Sequence, residues 1–358
     1  MKKIIFDHSI FLHQNNGGIS KYISQVNKKL QNFKIISKIY SPLTINENLS
    51  KKNSNEVFYF RLKKIPKFFR NFFFHINDNL FLIYIFFFKP DLIHFSYYNN
   101  QLEAKIKTPY VITVYDLIHE KYKIENKQFF KSKMIENASH IICISEETKK
   151  DLLKIYNVDK KKISVIYLGV DKTNINKYKK ENYILYVGDR DRYKNFKNLI
   201  SAFSNSEYLK QNFKLVCFGG GKFKESELRL FESLNIKNNL IFKFGNEAEL
   251  LKTYKISKLY VSLSLMEGFG LTNLEAMSSG CPVLCSKIPV FEEILLDSCE
   301  YVDPTNIKQI QVKIEKILKS QSEQNNLINK GYKRAKNFSW EKCVSATPEI
   351  YKKILNER

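Results

Sequence analysis

The chain has 358 residues, of which 44% are hydrophobic and 27% are charged, with 59 Lys and Arg against 36 Asp and Glu. The length suits two domains of roughly 150–180 residues each, and short apolar runs that recur to the end exclude a disordered, collagen-like or coiled-coil protein. The formal charge of +23 favours a polyanionic partner, either nucleic acid or an anionic membrane, unless it only reflects a Lys-rich composition.

The first residues lead directly into an apolar strand, without a secretory signal. Six cysteines without a CxxC pair or a zinc-spaced His/Cys cluster predict reduced thiols and a cytoplasmic location. The apolar run 80–88 is about half as long as a spanning helix. Residues 61–74 mix basic and Phe side chains. They predict either a helix in the membrane interface or, as the favoured interpretation, a core helix with snorkelling lysines.

Short apolar runs alternate with longer mixed segments, a pattern typical of parallel α/β sheets. In the first half the predicted strands are 3–6, 34–40, 92–95, 110–115, 140–144 and 163–167. In the second half they are 183–187, 214–218, 240–243, 259–263, 282–285 and 299–301. A polar linker at 169–181 separates the two halves, Ser145 is predicted to cap a helix that ends near Tyr156, and a final helix is predicted at 343–355.

A first candidate site is Gly17-Gly18, which follows a strand and precedes a predicted helix. Paired glycines at such a turn let backbone amides approach an anion. Most Gly-Gly pairs are only turns, so this signal alone is weak.

A second candidate site directly follows the strand that ends at Val187. Arg190, Arg192 and Lys194 stand where open α/β sheets bind ligands, and their charges suit a diphosphate. The same stretch contains Asp189 and Asp191. A metal bound by these two carboxylates is disfavoured, because three cations flank them.

The third and most specific pattern spans residues 267–283. Gly268 and Gly270 bracket Phe269, and a predicted helix begins near Leu271. Such a turn directs free amides and the positive helix end towards a ligand. Glu267 in the loop and Glu275 in the helix place two carboxylates around one ligand.

These residues resemble the Glu-x7-Glu signature of retaining GT-B glycosyltransferases of glycosyltransferase family 4. Segments 17–22, 142–151, 165–171, 186–195 and 338–340 are similar to other parts of that family, so the resemblance covers nearly the whole chain. The forms of the Gly17 and Lys194 segments look most like bacterial enzymes of O-antigen or capsule assembly, including mannosyltransferases.

The resemblance implies two Rossmann-like parallel-sheet domains facing a cleft. Residues 1–172 would bind the acceptor, residues 173–340 would bind the nucleotide sugar, and residues 341–358 would form a helix packed back on the first domain. It implies transfer of a hexose, with retention of anomeric configuration, to a lipid-linked or surface-polysaccharide acceptor. The donor expected first is GDP-mannose. Neither a metal nor another cofactor is expected, and the enzyme would be cytoplasmic or peripheral on the inner face of the cytoplasmic membrane.

The resemblance also implies roles for single residues. Lys194 would neutralise the donor diphosphate, Glu275 would accept hydrogen bonds from the ribose, and Glu267 would lie near the donor sugar. Backbone amides of the Gly268–Phe269–Gly270–Leu271 turn would contact the sugar and phosphates. Asp189 stands where many members have an arginine, so Arg190 or Arg192 is expected to substitute for it, and Gly17 and Gly18 would form the N-terminal phosphate or acceptor loop.

One departure from the family pattern is Tyr115-Asp116, where many members have His-Asp. Asp116 remains a candidate catalytic group on the acceptor side, with His119 close to it, whereas His94 is interpreted as structural. Because this histidine is missing, one alternative is a catalytically impaired protein that only binds a nucleotide sugar. A second alternative is a GT-B epimerase, which has the same fold. No nucleic-acid-binding signature is present in the sequence.

Overall fold

The computed structural model describes residues 1–50, 53–63, 65–121, 128–175, 178–190 and 192–356. The chain divides into two compact units. Unit 1 consists of Met1–Gly169 together with Trp340–Arg358, and unit 2 consists of Val170–Ser339.

The main sheet of unit 1 has seven parallel strands in the order β4-β2-β1-β6-β7-β8-β9. The strands of this unit are β1 Lys3–Phe6, β2 Ile36–Tyr40, β3 Leu43–Thr44, β4 Glu56–Val57, β5 Phe60–Arg61, β6 Leu92–Phe95, β7 Tyr110–Val114, β8 His140–Cys143 and β9 Ile163–Val165. Every residue of β6, β7 and β8 is buried, because a parallel sheet is covered on both faces. The six apolar runs predicted in the first half are all confirmed as strands, and β3 pairs separately with β5.

Helices connect these strands, as parallel pairing requires. They are α1 Ser9–His13, α2 Gly18–Leu30, α3 Arg70–Phe88, α4 Asn100–Glu103, α5 Ile118–Lys121, α6 Gln128–Asn137 and α7 Glu146–Ile155. The predicted cap of α7 is confirmed, since the Ser145 side chain accepts a hydrogen bond from the Thr148 backbone at 3.0 Å. The prediction of one helix over 61–74 is wrong: α3 begins only at Arg70, because Pro66 disfavours helical backbone at the residue before it.

The sheet of unit 2 has six parallel strands in the order β12-β11-β10-β13-β14-β15. They are β10 Glu181–Val187, β11 Lys214–Phe218, β12 Leu240–Lys243, β13 Ser257–Ser262, β14 Val283–Ser286 and β15 Glu300–Val302. Chain order runs outward from β10 in both directions, so the switch point of the sheet lies between β10 and β13. Open α/β sheets bind ligands at the carboxyl ends of strands around such a point.

The described residues of unit 2 form eight helices, of which six lie between strands and the last two follow β15. They are α8 Phe196–Ser204, α9 Glu207–Asn212, α10 Glu225–Ser233, α11 Glu247–Ile256, α12 Leu271–Ser278, α13 Pro289–Leu295, α14 Ile307–Lys319 and α15 Gln321–Ala335. The core on one face of the sheet joins α8 and α14 through Leu199, Phe203, Ile310 and Ile314, which are fully buried.

The last helix, α16 Trp340–Asn356, belongs to unit 1 and continues through Pro348. Tyr351 Oη lies 2.6 Å from His94 Nδ1, and Lys29 Nζ donates to Glu341 Oε1 at 2.8 Å. A segment from the end of the chain therefore completes the core of the first unit.

Candidate active site

The candidate site of unit 2 begins where β10 and β13 end. These strands pair directly, with Leu185 opposite Tyr260, so the loops after them emerge at the same edge of the sheet. The Leu265 backbone N–H donates to the Tyr193 carbonyl at 2.7 Å and ties the two loops together. The second and third sequence candidates therefore form one site.

Lys194 and Glu267 are the residues that this arrangement brings together. Lys194 Nζ donates to Glu267 Oε1 at 2.5 Å, and the Ser264 hydroxyl donates to the same oxygen at 2.8 Å. Burial alone would lower the pKa of Lys194, but the charge of Glu267 outweighs it and holds that pKa above its ordinary value. With 24% of its side chain exposed, Lys194 is a permanent cation that an incoming anion can reach.

The turn before α12 has a shape that requires glycine. Gly270 has φ 91°, and a Cβ there would lie 2.7 Å from the Phe291 ring. Phe269 is buried and packs edge-on against Phe338 at 5.9 Å, which anchors the loop. Helix α12 then begins at Leu271, and the amides of its first turn carry the partial positive charge of a helix N-terminus.

Glu275 occupies the second turn of the same helix, with its side chain half-buried. The Tyr254 hydroxyl donates to Glu275 Oε2 at 3.5 Å. Tyr254 is fully buried, and its pKa lies well above the ordinary value because of burial and then the charge of Glu275. The tyrosine therefore stays protonated and orients the carboxylate.

Arg190, one of the two arginines predicted to bind the diphosphate, is held by groups of unit 2 itself. Its Nε donates to Glu227 Oε1 at 2.6 Å, and its terminal nitrogens donate to the carbonyls of Gly219 at 3.1 Å and Gly221 at 2.9 Å. Only 2% of its side chain is exposed, and the guanidinium stacks on Phe223 at 4.9 Å. Direct contact with a phosphate would break these bonds, so the geometry favours a role in holding the glycine turn.

Arg192 lies in a short 3-10 helix, Arg192–Lys194, but its side chain is outside the described residues, as is the whole of Asp191. Which of the two arginines binds the diphosphate therefore stays a prediction, and the bonds of Arg190 are the observation that bears on it.

The sequence interpretation missed the turn Gly219–Gly220–Gly221, which follows β11 next to β10. All three glycines have positive φ, and a Cβ on Gly220 would lie 2.6 Å from the Gly188 carbonyl oxygen. Three consecutive glycines after a strand were the available signal.

Asn273 in the first turn of α12 was also missed. Its side chain is fully buried, and within the described part of the chain neither amide atom has a hydrogen-bond partner. Its Nδ2 would lie 3.1 Å from a Cβ on Gly270, so the amide stands beside the glycine turn. An unpaired buried amide is costly, so the Asn273 side chain is a candidate for contact with a ligand or a water.

In unit 1, the glycine pair forms the start of α2. Gly17 has extended backbone at φ 173° and precedes the helix, and Gly18 is its first residue. The Ser20 hydroxyl donates to the Gly17 carbonyl at 3.0 Å. A Cβ on Gly17 would collide with the Gln14 side chain, so the turn is closely packed.

Asp116, His119 and Tyr115 follow β7, also in unit 1. Asp116 Oδ1 accepts a hydrogen bond from the Ile118 backbone at 3.1 Å and so supports the start of α5, which carries the half-buried His119. Tyr115 is buried and donates to the Ser96 carbonyl at 3.2 Å. Burial raises its pKa well above the ordinary value, so this residue does not replace a histidine as a proton acceptor.

His94 has both ring nitrogens engaged inside the core, in line with its interpretation as a structural residue. Its Nε2 lies 2.8 Å from Thr113 Oγ1, and its Nδ1 bonds Tyr351. Burial lowers the pKa of His94 to about 3. Among the described residues there is no group of three or more His, Cys, Asp or Glu side chains that could hold a metal ion.

Two family models match consecutive parts of the chain. Residues 16–174 match the model described as Glycosyltransferase Family 4, and residues 170–334 match the model described as Glycosyl transferases group 1.

Curated proteins and solved structures resemble the chain over much of its length. It is 34% identical to the O-antigen chain mannosyltransferase RfbU of Salmonella typhimurium, over 53% of this chain and 54% of that one. It is 24% identical to O-antigen chain mannosyltransferase B of Escherichia coli, over 72% of each chain. The chain thus spans about half the length of the first relative. The sucrose-phosphate synthase structure from Thermosynechococcus elongatus matches over 100% of both chains, with 19% identity and a TM-score of 0.81, and shows the same fold.

Proposed function

The chain belongs to the glycosyltransferases, with a family 4 domain followed by a group 1 domain, and on that premise we propose a specific reaction for it. The chain transfers a hexose from a nucleotide sugar to a lipid-linked or polysaccharide acceptor, with retention of anomeric configuration and without a metal ion. The observation that carries this proposal is the pairing of Lys194 with Glu267 at 2.5 Å, beside the first turn of α12.

The departing nucleoside diphosphate must gain stabilisation as its bond to the sugar breaks. Lys194 supplies a fixed positive charge for this, and the amides of the first turn of α12 supply oriented dipoles. Such groups act without reorganisation during the reaction, which is why they stabilise the transition state more than the ground state.

Glu267 has a second task once an anion engages Lys194. Its carboxylate is then available to accept a hydrogen bond from a sugar hydroxyl, while Glu275, oriented by Tyr254, accepts from the ribose. Retention follows either from attack on the face that the diphosphate leaves or from a covalent intermediate on a carboxylate, for which Glu267 is the candidate in unit 2.

The proposed donor is GDP-mannose, and the support is that two of the relatives are named mannosyltransferases. The proposed acceptor is carried on a polyprenyl diphosphate or another lipid, in keeping with the positive charge of the chain and the named role of those relatives in building the O-antigen chain.

The test is a calorimetric titration of the purified protein with GDP-mannose, GDP, UDP-glucose and dTDP-rhamnose, with and without EDTA. We expect one donor to bind equally well in both conditions. Binding that disappears with EDTA would contradict the metal-free reaction, and no binding to any donor would contradict the site itself. Release of GDP that depends on an added acceptor then distinguishes transfer from epimerisation, which needs the nucleotide sugar alone.

A further inference from the structure

Helix α3 of unit 1 exposes a stripe of uncharged residues to its surroundings. Seven of its residues are exposed, and five of these recur at intervals of three and four along the helix, namely Phe72, His75, Asn79, Ile83 and Phe86. Such spacing places side chains on one face. A helix face that meets only water normally carries charged residues, whereas this one carries none.

Further large apolar side chains extend this stripe at both ends. The exposed fractions are 90% for Phe68, 51% for Phe69, 58% for Phe72, 57% for Ile83, 72% for Phe86 and 75% for Phe87. We call these six residues the phenylalanine face. Phenyl groups concentrated on one exposed surface mark an interaction site rather than ordinary scatter.

The opposite side of α3 is fixed to unit 1 by buried polar contacts. Asp78 Oδ1 lies 3.0 Å from His8 Nε2 and accepts from Asn99 at 2.8 Å, and Asn77 forms two backbone bonds with Leu43 at 3.0 and 2.8 Å. The helix has the length and mean hydropathy, 1.2, of a membrane-crossing segment. Crossing would remove these polar groups from their partners, so the geometry favours a helix that lies along a surface.

The charges around the face are almost all positive. Residues 57–90 contain six Lys and Arg, and their one acidic residue is the buried Asp78. Lys63 and Lys89 are exposed at the two ends of the segment, and Lys3 and Lys38 lie over the ring of Phe88 at 5.5 and 5.9 Å. A second copy of the chain would bring equal positive charges together, which is unfavourable, whereas anionic lipid headgroups complement them.

We propose that the phenylalanine face docks on an anionic membrane surface, with α3 parallel to the bilayer, its exposed phenyl rings at the acyl boundary and the flanking lysines at the lipid phosphates. This property goes beyond the transfer reaction and does not depend on the donor site, which lies in unit 2. It would place unit 1 directly at the headgroups of the membrane.

The test is sedimentation of the full-length protein with phosphatidylcholine vesicles that contain or lack one third phosphatidylglycerol. We expect retention on the anionic vesicles at low salt and weaker retention at about 0.5 M salt, where charges are screened. The double variant Phe72→Ser/Phe86→Ser should bind about tenfold more weakly or worse, since each buried phenyl ring adds substantially to partitioning. Lys63→Glu/Lys89→Glu should weaken binding to the anionic vesicles specifically.

Phe244→Ser is the matched control, because Phe244 is 78% exposed but lies in unit 2; it should bind vesicles like the parent. Circular dichroism and a thermal unfolding curve like those of the parent verify that the double variant folds. The proposal is overturned if the parent ignores anionic vesicles, if neutral vesicles retain it equally, or if the double variant binds unchanged. It is also overturned if the parent is a dimer that the double variant breaks, because the face would then be covered by a second copy.

Discussion

Lys194 and Glu267 are 73 residues apart in the sequence, yet their charged groups lie 2.5 Å from each other. Before a diphosphate arrives, the carboxylate compensates the half-buried ammonium. In the proposed reaction, an incoming diphosphate would compete with Glu267 for the same cation. Such an exchange would link the binding of phosphate to the release of the carboxylate towards the sugar.

Replacing Lys194 by Ala should weaken nucleotide-sugar binding by ten- to hundredfold, or about 1.5–3 kcal/mol, because one charged hydrogen bond to the diphosphate is lost. Calorimetry with the preferred donor measures the change. Lys197→Ala is the control, since Lys197 is a neighbouring lysine exposed to solvent. Equal loss in both variants would indicate a general charge effect instead of a specific contact.

Replacing Arg190 by Ala should lower the free energy of unfolding by about 3 kcal/mol, because Glu227 loses its partner and the glycine turn loses its donors. Denaturant unfolding measures this. In the control Arg229→Ala, an exposed pair with Glu225 is lost, and the change should be below about 1 kcal/mol. A stable Arg190→Ala protein that no longer binds the donor would instead establish direct phosphate contact.

Replacing Gly270 by Ala should both destabilise unit 2 and reduce donor affinity. The positive φ costs about 1–2 kcal/mol with a side chain, and the added Cβ collides with Phe291, which displaces the start of α12. Gly221→Ala separates the two effects, because Gly221 also has positive φ but open space around its Cβ. If both variants bind the donor equally, the position of the α12 terminus does not matter for binding.

Replacing Asn273 by Ala should leave the stability of the unliganded protein unchanged or slightly higher, since an unpaired buried amide is removed. If the Asn273 amide contacts the nucleotide-sugar donor, the same variant should bind that donor about tenfold more weakly. In Asn239→Ala we expect lower stability and unchanged donor affinity, because the Asn239 amide donates to the carbonyls of Lys210 and Phe213 and serves only the fold. Thermal unfolding and calorimetry on both variants provide the comparison.

Unit 1 should lose stability in acid because of His94. Its pKa is about 3 in the folded protein, against about 6.5 in an unfolded chain. Between these values only the unfolded chain takes up the proton, so stability falls as the pH drops below about 6.5, by up to about 1.4 kcal/mol per pH unit. Between pH 7 and pH 4, the free energy of unfolding should depend less steeply on pH in His94→Gln than in the parent. The exposed His75→Gln is the control, and an identical slope in all three proteins would contradict the assignment.

The strands were predictable because residues buried on both faces of a parallel sheet form continuous apolar runs, as in β7 and β11. The two-residue strands β3, β4 and β5 have no such run and are set by contacts distant in sequence. Helix α3 was missed as one element because its apolar residues surround the whole helix and the basic segment before it obscures its start.

The candidate site was predictable to the level of its loops. Glu267, Glu275 and Lys194 stand next to glycines and strand ends that identify the turn in the sequence alone. The partner of Arg190 could not be foreseen, because Glu227 lies on α10, 37 residues away, and only folding brings the two together. The unpaired amide of Asn273 likewise becomes visible only when the packing around α12 is known.

The passage of the chain out of unit 1 after Gly169 and back at Trp340 has a consequence for biosynthesis. Unit 2 is continuous, so all of its residues have been translated before α16 is made. Unit 1 is completed only afterwards, since Tyr351, the hydrogen-bond partner of the buried His94, is translated after the whole of unit 2. The unit whose translation begins first is thus the unit that is completed last, and a nonsense codon directly before α16 would spare unit 2 while leaving unit 1 incomplete.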